Sequence, residues 1–151
     1  MSEQPHYLET LCKELALALG DAVWAFARIE WLTYSCLRGL SRDCLDELVG
    51  DLNFRNRTAI LRRLINAKNS SQNKKERAYA AIKVAEELSD RRNIIVHNPW
   101  QIWVDLDSEK LMTNIEKYSQ REKTVDLDRL REFTKRAGEV EVELKESVYA
   151  L

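Results

Sequence analysis

Arg92, Asn93 and His97 are the residues of this chain whose types and spacing could do chemistry. An imidazole changes charge close to neutral pH, so His97 can take up or return a proton there. Five residues earlier, Arg92 supplies a planar guanidinium that can grip phosphate oxygens as a fork. Asn93 precedes His97 by one helical turn, which makes their side chains neighbours on a helix, with Arg92 on the adjoining edge. Such a set can move a proton beside an anionic phosphoryl group. Little else in the chain competes with it. Cys12, Cys36 and Cys44 lack metal-ligand spacing, fall in helical patterns and read as reduced core thiols. No cluster of His, Cys and carboxylates has ligand spacing, so neither a metal nor a cofactor is expected. The absence of a Gly-rich phosphate loop argues against a nucleotide hydrolase. His6 falls in an end expected to fray and receives no role.

The elements that would position these residues are helices. Four glycines and two prolines punctuate 151 residues, and strong helix formers dominate. Tyr7, Leu8, Leu11, Leu15 and Leu19 recur at helical spacing, after which Gly20 offers a stop or a kink. From Asp21 to Leu40 apolar residues run almost around the helix, so it should be covered on more than one side, by another helix of the chain or by a second copy. A short helical turn is expected at 42–49. Phe54, Thr58, Leu61 and Ile65 mark the inward face of a basic amphipathic helix whose arginines, Arg57 among them, fall largely outside it. The polar stretch 66–75 reads as a loop.

The helix bearing the three candidates should span 76–97 and end at Asn98-Pro99, because proline disfavours helix in its predecessor and donates no hydrogen bond. Its apolar stripe of Ala78, Ala81, Ile82, Ala85, Leu88 and Val96 contains Arg92 where a leucine would fit. A guanidinium there must meet a carboxylate, a polar cleft or an anion. Alternation from Trp100 to Leu106, followed after Asp107 by Leu111 to Ile115, predicts a β-hairpin at about 100–117, in which Trp100 and Trp103 pack. A last helix follows at about 126–148, capped by Asp126 or Thr124. The fold class is therefore all-α: an antiparallel bundle of about five helices, one domain over 1–151, with a small hairpin before the last helix. No apolar run is long enough to cross a bilayer and no signal peptide is evident, which predicts a cytoplasmic protein without a membrane partner.

The net charge of −1 hides an uneven distribution: residues 54–97 carry a surplus of seven positive charges, and the remainder is correspondingly acidic. A basic centre suits a phosphate backbone as well as it suits ordinary solvated helix faces. Arg55, Arg62, Arg63 and the outward-projecting Arg91 are the candidates for such contacts.

The run Arg92-Asn93-Ile94-Ile95-Val96-His97 resembles the signature of HEPN domains (higher eukaryote and prokaryote nucleotide-binding): an arginine, a polar residue, and a histidine four to six positions after the arginine. The order of elements from Leu15 to Leu144 is similar as well. The resemblance implies metal-independent cleavage of RNA to a 2′,3′-cyclic phosphate and a 5′-hydroxyl, with Arg92, Asn93 and His97 as the catalytic set. It also implies a homodimer whose two motifs face each other across a cleft, a role as toxin or defence effector, and room for a cognate antitoxin or regulatory protein. Two other readings stand beside it. The chain could be a HEPN-like module that binds RNA, nucleotides or protein without cutting. It could instead be a helical scaffold in which Arg92 is tied to a structural acid such as Glu30 or Asp21, with His97 stabilised by the helix dipole.

Overall fold

The computed structural model describes residues 4–41, 43–105, 107, 110–117 and 119–151. Among them five helices and three strands follow in the order α1 (Gln4–Leu40), α2 (Leu45–Leu48), α3 (Phe54–Ala67), α4 (Gln72–His97), β1 (Trp100–Asp105), β2 (Lys110–Lys117), β3 (Gln120–Val125) and α5 (Leu127–Tyr149). The molecule is a helical bundle with a small antiparallel sheet ahead of its last helix.

Gly20 neither stops α1 nor packs closely: the helix runs through it, and a Cβ at that position would meet nothing within 4 Å. A helical glycine costs only about 1 kcal/mol relative to alanine. The packing of α1 on α3, α4 and α5 outweighs that cost. The burial of α1 is nonetheless one-sided. Ala22, Ala25, Phe26, Ile29, Cys36 and Leu37 enter the core, whereas Trp24 and Trp31 remain 68% and 74% exposed. Among the described residues no other helix supplies the second cover that their hydrophobicity predicts. Tyr7 and Leu8 are also exposed, so the core begins at Leu15.

Asn53 caps α3, its side chain accepting from the Asn56 N–H at 2.9 Å. Phe54, Thr58, Leu61 and Ile65 are buried as their spacing requires; Arg57 is buried with them, contrary to expectation. Phe54 meets Phe26 with ring centroids 5.3 Å apart, and Phe26 meets Phe133 of α5 at 6.4 Å. The predicted loop at 66–75 shrinks to residues 68–71, because helix resumes at Gln72 with the Lys75 N–H bonded to the Ser71 carbonyl. Of the predicted turn at 42–49 only Leu45–Leu48 is helical; Arg42 lies outside the described residues.

Helix α4 ends where Pro99 dictates. Asn98 is extended, and its Nδ2 donates to the Ile94 carbonyl at 2.7 Å, satisfying one of the carbonyls a helix end leaves free. The hairpin pairs Trp100 with Ile115 and Val104 with Leu111, but a third strand, β3, extends it beyond β2 with a register shift at Glu116/Lys117. Leu106, Ser108 and Glu109 of the expected hairpin lie outside the described residues. Ile115 is the buried anchor of the sheet. Asp126 caps α5 by accepting from the Arg129 N–H at 2.8 Å, and Leu130, Phe133, Ala137, Val140 and Leu144 close the core.

Of the cysteines only Cys36 is a core thiol, and burial pushes its pKa up to about 12. Cys12 and Cys44 are exposed: the first lies on the outer side of α1, the second in the loop before α2. No helix among the described residues is long and apolar enough to cross a membrane.

Candidate functional site

The buried stripe of α4 runs Ala78, Ala81, Ile82, Ala85, Leu88, Ser89 and then Ile95, so Arg92 fills the gap between Ser89 and Ile95 while Val96 turns outward. Its side chain is 25% exposed and is held from three directions. Nη2 donates to Glu30 Oε1 of α1 at 2.7 Å, Nη1 donates to Asn93 Oδ1 at 3.2 Å, and the guanidinium carbon lies 5.1 Å from the Phe26 ring centroid. The acid expected to meet this arginine is thus Glu30 and not Asp21. Glu30 also serves Arg57, whose Nη2 is 3.6 Å from the same oxygen.

Arg57 is the more deeply fixed of the two. Its Nη1 donates to the Leu52 carbonyl at 2.5 Å, its guanidinium lies 4.4 Å from the Tyr34 ring centroid, and its Nε has no hydrogen-bond partner. One carboxylate between two guanidiniums leaves a local positive charge. Arg92, Arg57, Glu30, Arg55, Asp90 and Asn93 line a cavity of about 570 Å³.

His97 lies elsewhere. Five residues along a helix turn a side chain by about 140°, so Arg92 and His97 cannot share a face. Asn93, four residues before His97, does share one with it. His97 is exposed and its side chain makes no hydrogen bond among the described residues. It lines a second cavity of about 580 Å³ with Asn93, Asp90, Asn98, Lys117 and Lys123. The two cavities adjoin at Asp90 and Asn93. The expected convergence of three groups therefore resolves into two pairs, Arg92 with Asn93 and Asn93 with His97, linked through the asparagine.

The candidates for RNA contact divide as well. Arg55 is bonded to Asp90 at 2.6 Å, and Arg62 is paired with Glu86 at 3.2 Å, where Thr58 also donates to Glu86. Arg63 and Arg91 are exposed and carry no ion pair among the described residues. Sequence reasoning missed Arg57, Lys117 and Lys123. Arg57 could have been found, since it lies three residues after Phe54 and four before Leu61, on the inward stripe. Lys123 could not, because no alternation of apolar residues marks β3; Lys117 fell within the expected hairpin, but its approach to His97 depends on how β2 lies against α4.

Chemically, the first cavity offers a guanidinium with two of its terminal N–H groups already engaged and others available to a phosphate. The second offers an unengaged imidazole with two ammonium groups on its rim. Among the described residues no group of three or more His, Cys, Asp or Glu side chains is placed to hold a metal ion. No family model, curated protein or solved structure matches the chain.

Proposed function

We propose that the chain is a HEPN-type endoribonuclease that cleaves RNA by attack of the 2′-hydroxyl on the neighbouring phosphate, without a metal. His97 takes the 2′-hydroxyl proton as the 2′-O–P bond forms. Arg92 stabilises the charge that builds on the phosphoryl oxygens, and Asn93 orients Arg92 and the phosphate between them. The P–O5′ bond then breaks, and the 5′-oxygen takes a proton from water or from a second imidazole. The products are a 2′,3′-cyclic phosphate and a 5′-hydroxyl.

The observation that carries this reading is the half-buried Arg92, held by Glu30 at the wall of a polar cavity that adjoins the one containing an unengaged histidine. An arginine fixed in advance loses little freedom when it grips a phosphate. Because Arg92 and His97 of one chain line different cavities, full assembly of the site is assigned to a homodimer, in which the motif of one copy completes that of the other. A cytoplasmic toxin or defence effector restrained by a cognate antitoxin or regulatory protein is the biological setting this activity fits.

The test is incubation of purified protein and its His97→Ala variant with a mixed RNA pool in EDTA, followed by analysis of product ends. Cyclic-phosphate ends from wild type alone are expected. Uncut RNA from both would sink the nuclease reading.

One observation favours a second reading, a helical scaffold or non-catalytic binding module. Arg92 and Arg57 share Glu30 in an ion cluster of the kind that fixes packing. Arg92→Lys separates the two. A lysine keeps the charge opposite Glu30 and most of the stability, but loses the fork on which phosphate recognition depends. A scaffold would keep its function in that variant, and a nuclease would not.

A further inference from the structure

The α4 cations and the sheet cations face a common trough. The His97 cavity continues into a third one of about 540 Å³, with which it shares Asp90, Ile94 and Lys123. The last two turns of α4 form one wall. The other is formed by the β2–β3 edge and the first turns of α5. Lys117 stands at the His97 end, Arg91 and Lys123 line the middle, and Arg129 lies at the far end. Against these four cations the walls present, among the described residues, two acids, Asp90 and Glu132, and Asp90 is already neutralised by Arg55 at 2.6 Å.

The cations themselves are little engaged. Lys117 donates to the Gln120 side-chain oxygen at 3.2 Å and Arg129 to the Thr124 carbonyl at 3.0 Å, both neutral acceptors. Arg129 has a carboxylate, that of Asp126, only at 3.9 Å. Arg91 and Lys123 are exposed and have no ion-pair partner among the described residues. On α3, by contrast, Arg55, Arg57 and Arg62 each have an acid.

We propose that this trough binds the phosphodiester backbone of a single-stranded RNA, with Arg91 on α4 and Lys123 on β3 as opposing contacts that lead the strand to His97. The choice of RNA rests on the nuclease reading above; the trough itself rests on the unneutralised cations. A single strand fits because a 2′-hydroxyl must leave helical stacking to attack in line with the departing oxygen, which an unpaired backbone does freely. The three-stranded sheet thereby gains a function: β3, the strand without a predicted role, supplies one wall of the substrate channel.

The probe is a short fluorescein-labelled single-stranded RNA with every sugar 2′-O-methylated, which cannot be cut by 2′-hydroxyl attack, titrated by fluorescence anisotropy at several salt concentrations. Arg91→Ala/Lys123→Ala removes two exposed side chains. It is expected to weaken binding by about tenfold and to flatten the slope of log affinity against log salt by about 0.7 for each phosphate that is no longer neutralised. Lys145→Ala, in a separate cavity between α1 and α5 that shares no residue with the trough, should change neither. An unchanged affinity and slope in the double variant, or no binding by wild type at all, would overturn the proposal. The two readings fail separately. Cleavage that needs His97 but ignores Arg91 and Lys123 rejects the trough and keeps the nuclease. Binding that needs both cations in a protein that never cuts keeps the trough and rejects the nuclease.

Discussion

Arg92 and His97 stand on the same helix, yet their surroundings are opposite. Arg92 is held at 25% side-chain exposure by Glu30, Asn93 and the face of Phe26. His97 is exposed at the last residue of α4, with no hydrogen bond to fix its ring among the described residues. The arginine is set before any substrate arrives, whereas the histidine acquires its orientation only from substrate or from a second copy. The cost of ordering is therefore met during folding at one end of the pair and during binding at the other.

The contrast breaks most visibly at His97. His97→Ala should abolish formation of cyclic-phosphate ends, a loss of about 10²–10⁴-fold for removal of a proton-transfer group. Its thermal unfolding should stay within about 0.5 kcal/mol of wild type, since the ring makes no hydrogen bond among the described residues. An equal loss of stability would mean that the ring has structural partners and that the contrast is wrong. Arg92→Lys tests the other pole. Loss of the fork should lower the cleavage rate by about 10²-fold, while the charge opposite Glu30 survives. Single-turnover rates and a melting curve for the same preparation separate the two effects.

How much of this was legible in the sequence follows from what each residue depends on. The end of α4 was legible because Asn98-Pro99 acts locally, and the faces of α3 and α5 because apolar spacing of three and four is local too. The demand of Arg92 for a carboxylate, a polar cleft or an anion was legible from its place in an apolar stripe. That Glu30 rather than Asp21 meets it depends on how α1 packs across α4, a pairing of residues 62 apart in sequence. Gly20 does not act as a stop because a glycine signals only a weak preference, which the packing of α1 overrides. Arg57 misled because its charge was taken as exposure, although its position on α3 was inward. The separation of Arg92 from His97 was implicit in a five-residue spacing and needed only the helical angle. Strand β3 was hidden because Gln120 to Val125 lack alternation, and with it Lys123 and half of the trough.

Glu30→Gln sharpens the comparison from the acid side. The substitution leaves two guanidiniums, those of Arg92 and Arg57, facing a neutral amide, and should destabilise the fold by about 1–3 kcal/mol. At the same time it releases Arg92 for a phosphate. Affinity for the 2′-O-methylated RNA should rise while cleavage falls, because the arginine binds more freely but is no longer held at one angle. If both fall together in proportion to stability, Glu30 serves packing alone.

The smallest effect belongs to Arg55. Its pair with Asp90 is 59% exposed on both sides, so Arg55→Ala should change stability by no more than about 0.5 kcal/mol. Its consequence is electrostatic. Asp90 lines all three cavities, and without Arg55 its carboxylate is left uncompensated at their junction. RNA affinity should then drop severalfold at low salt and recover towards wild type as salt screens the carboxylate. Arg55→Ala/Asp90→Asn removes both charges and should restore the affinity at all salt concentrations. A direct contact between Arg55 and RNA predicts the reverse, a deficit that the second substitution does not repair. The double variant therefore decides whether Arg55 touches the strand or merely neutralises the acid beneath it.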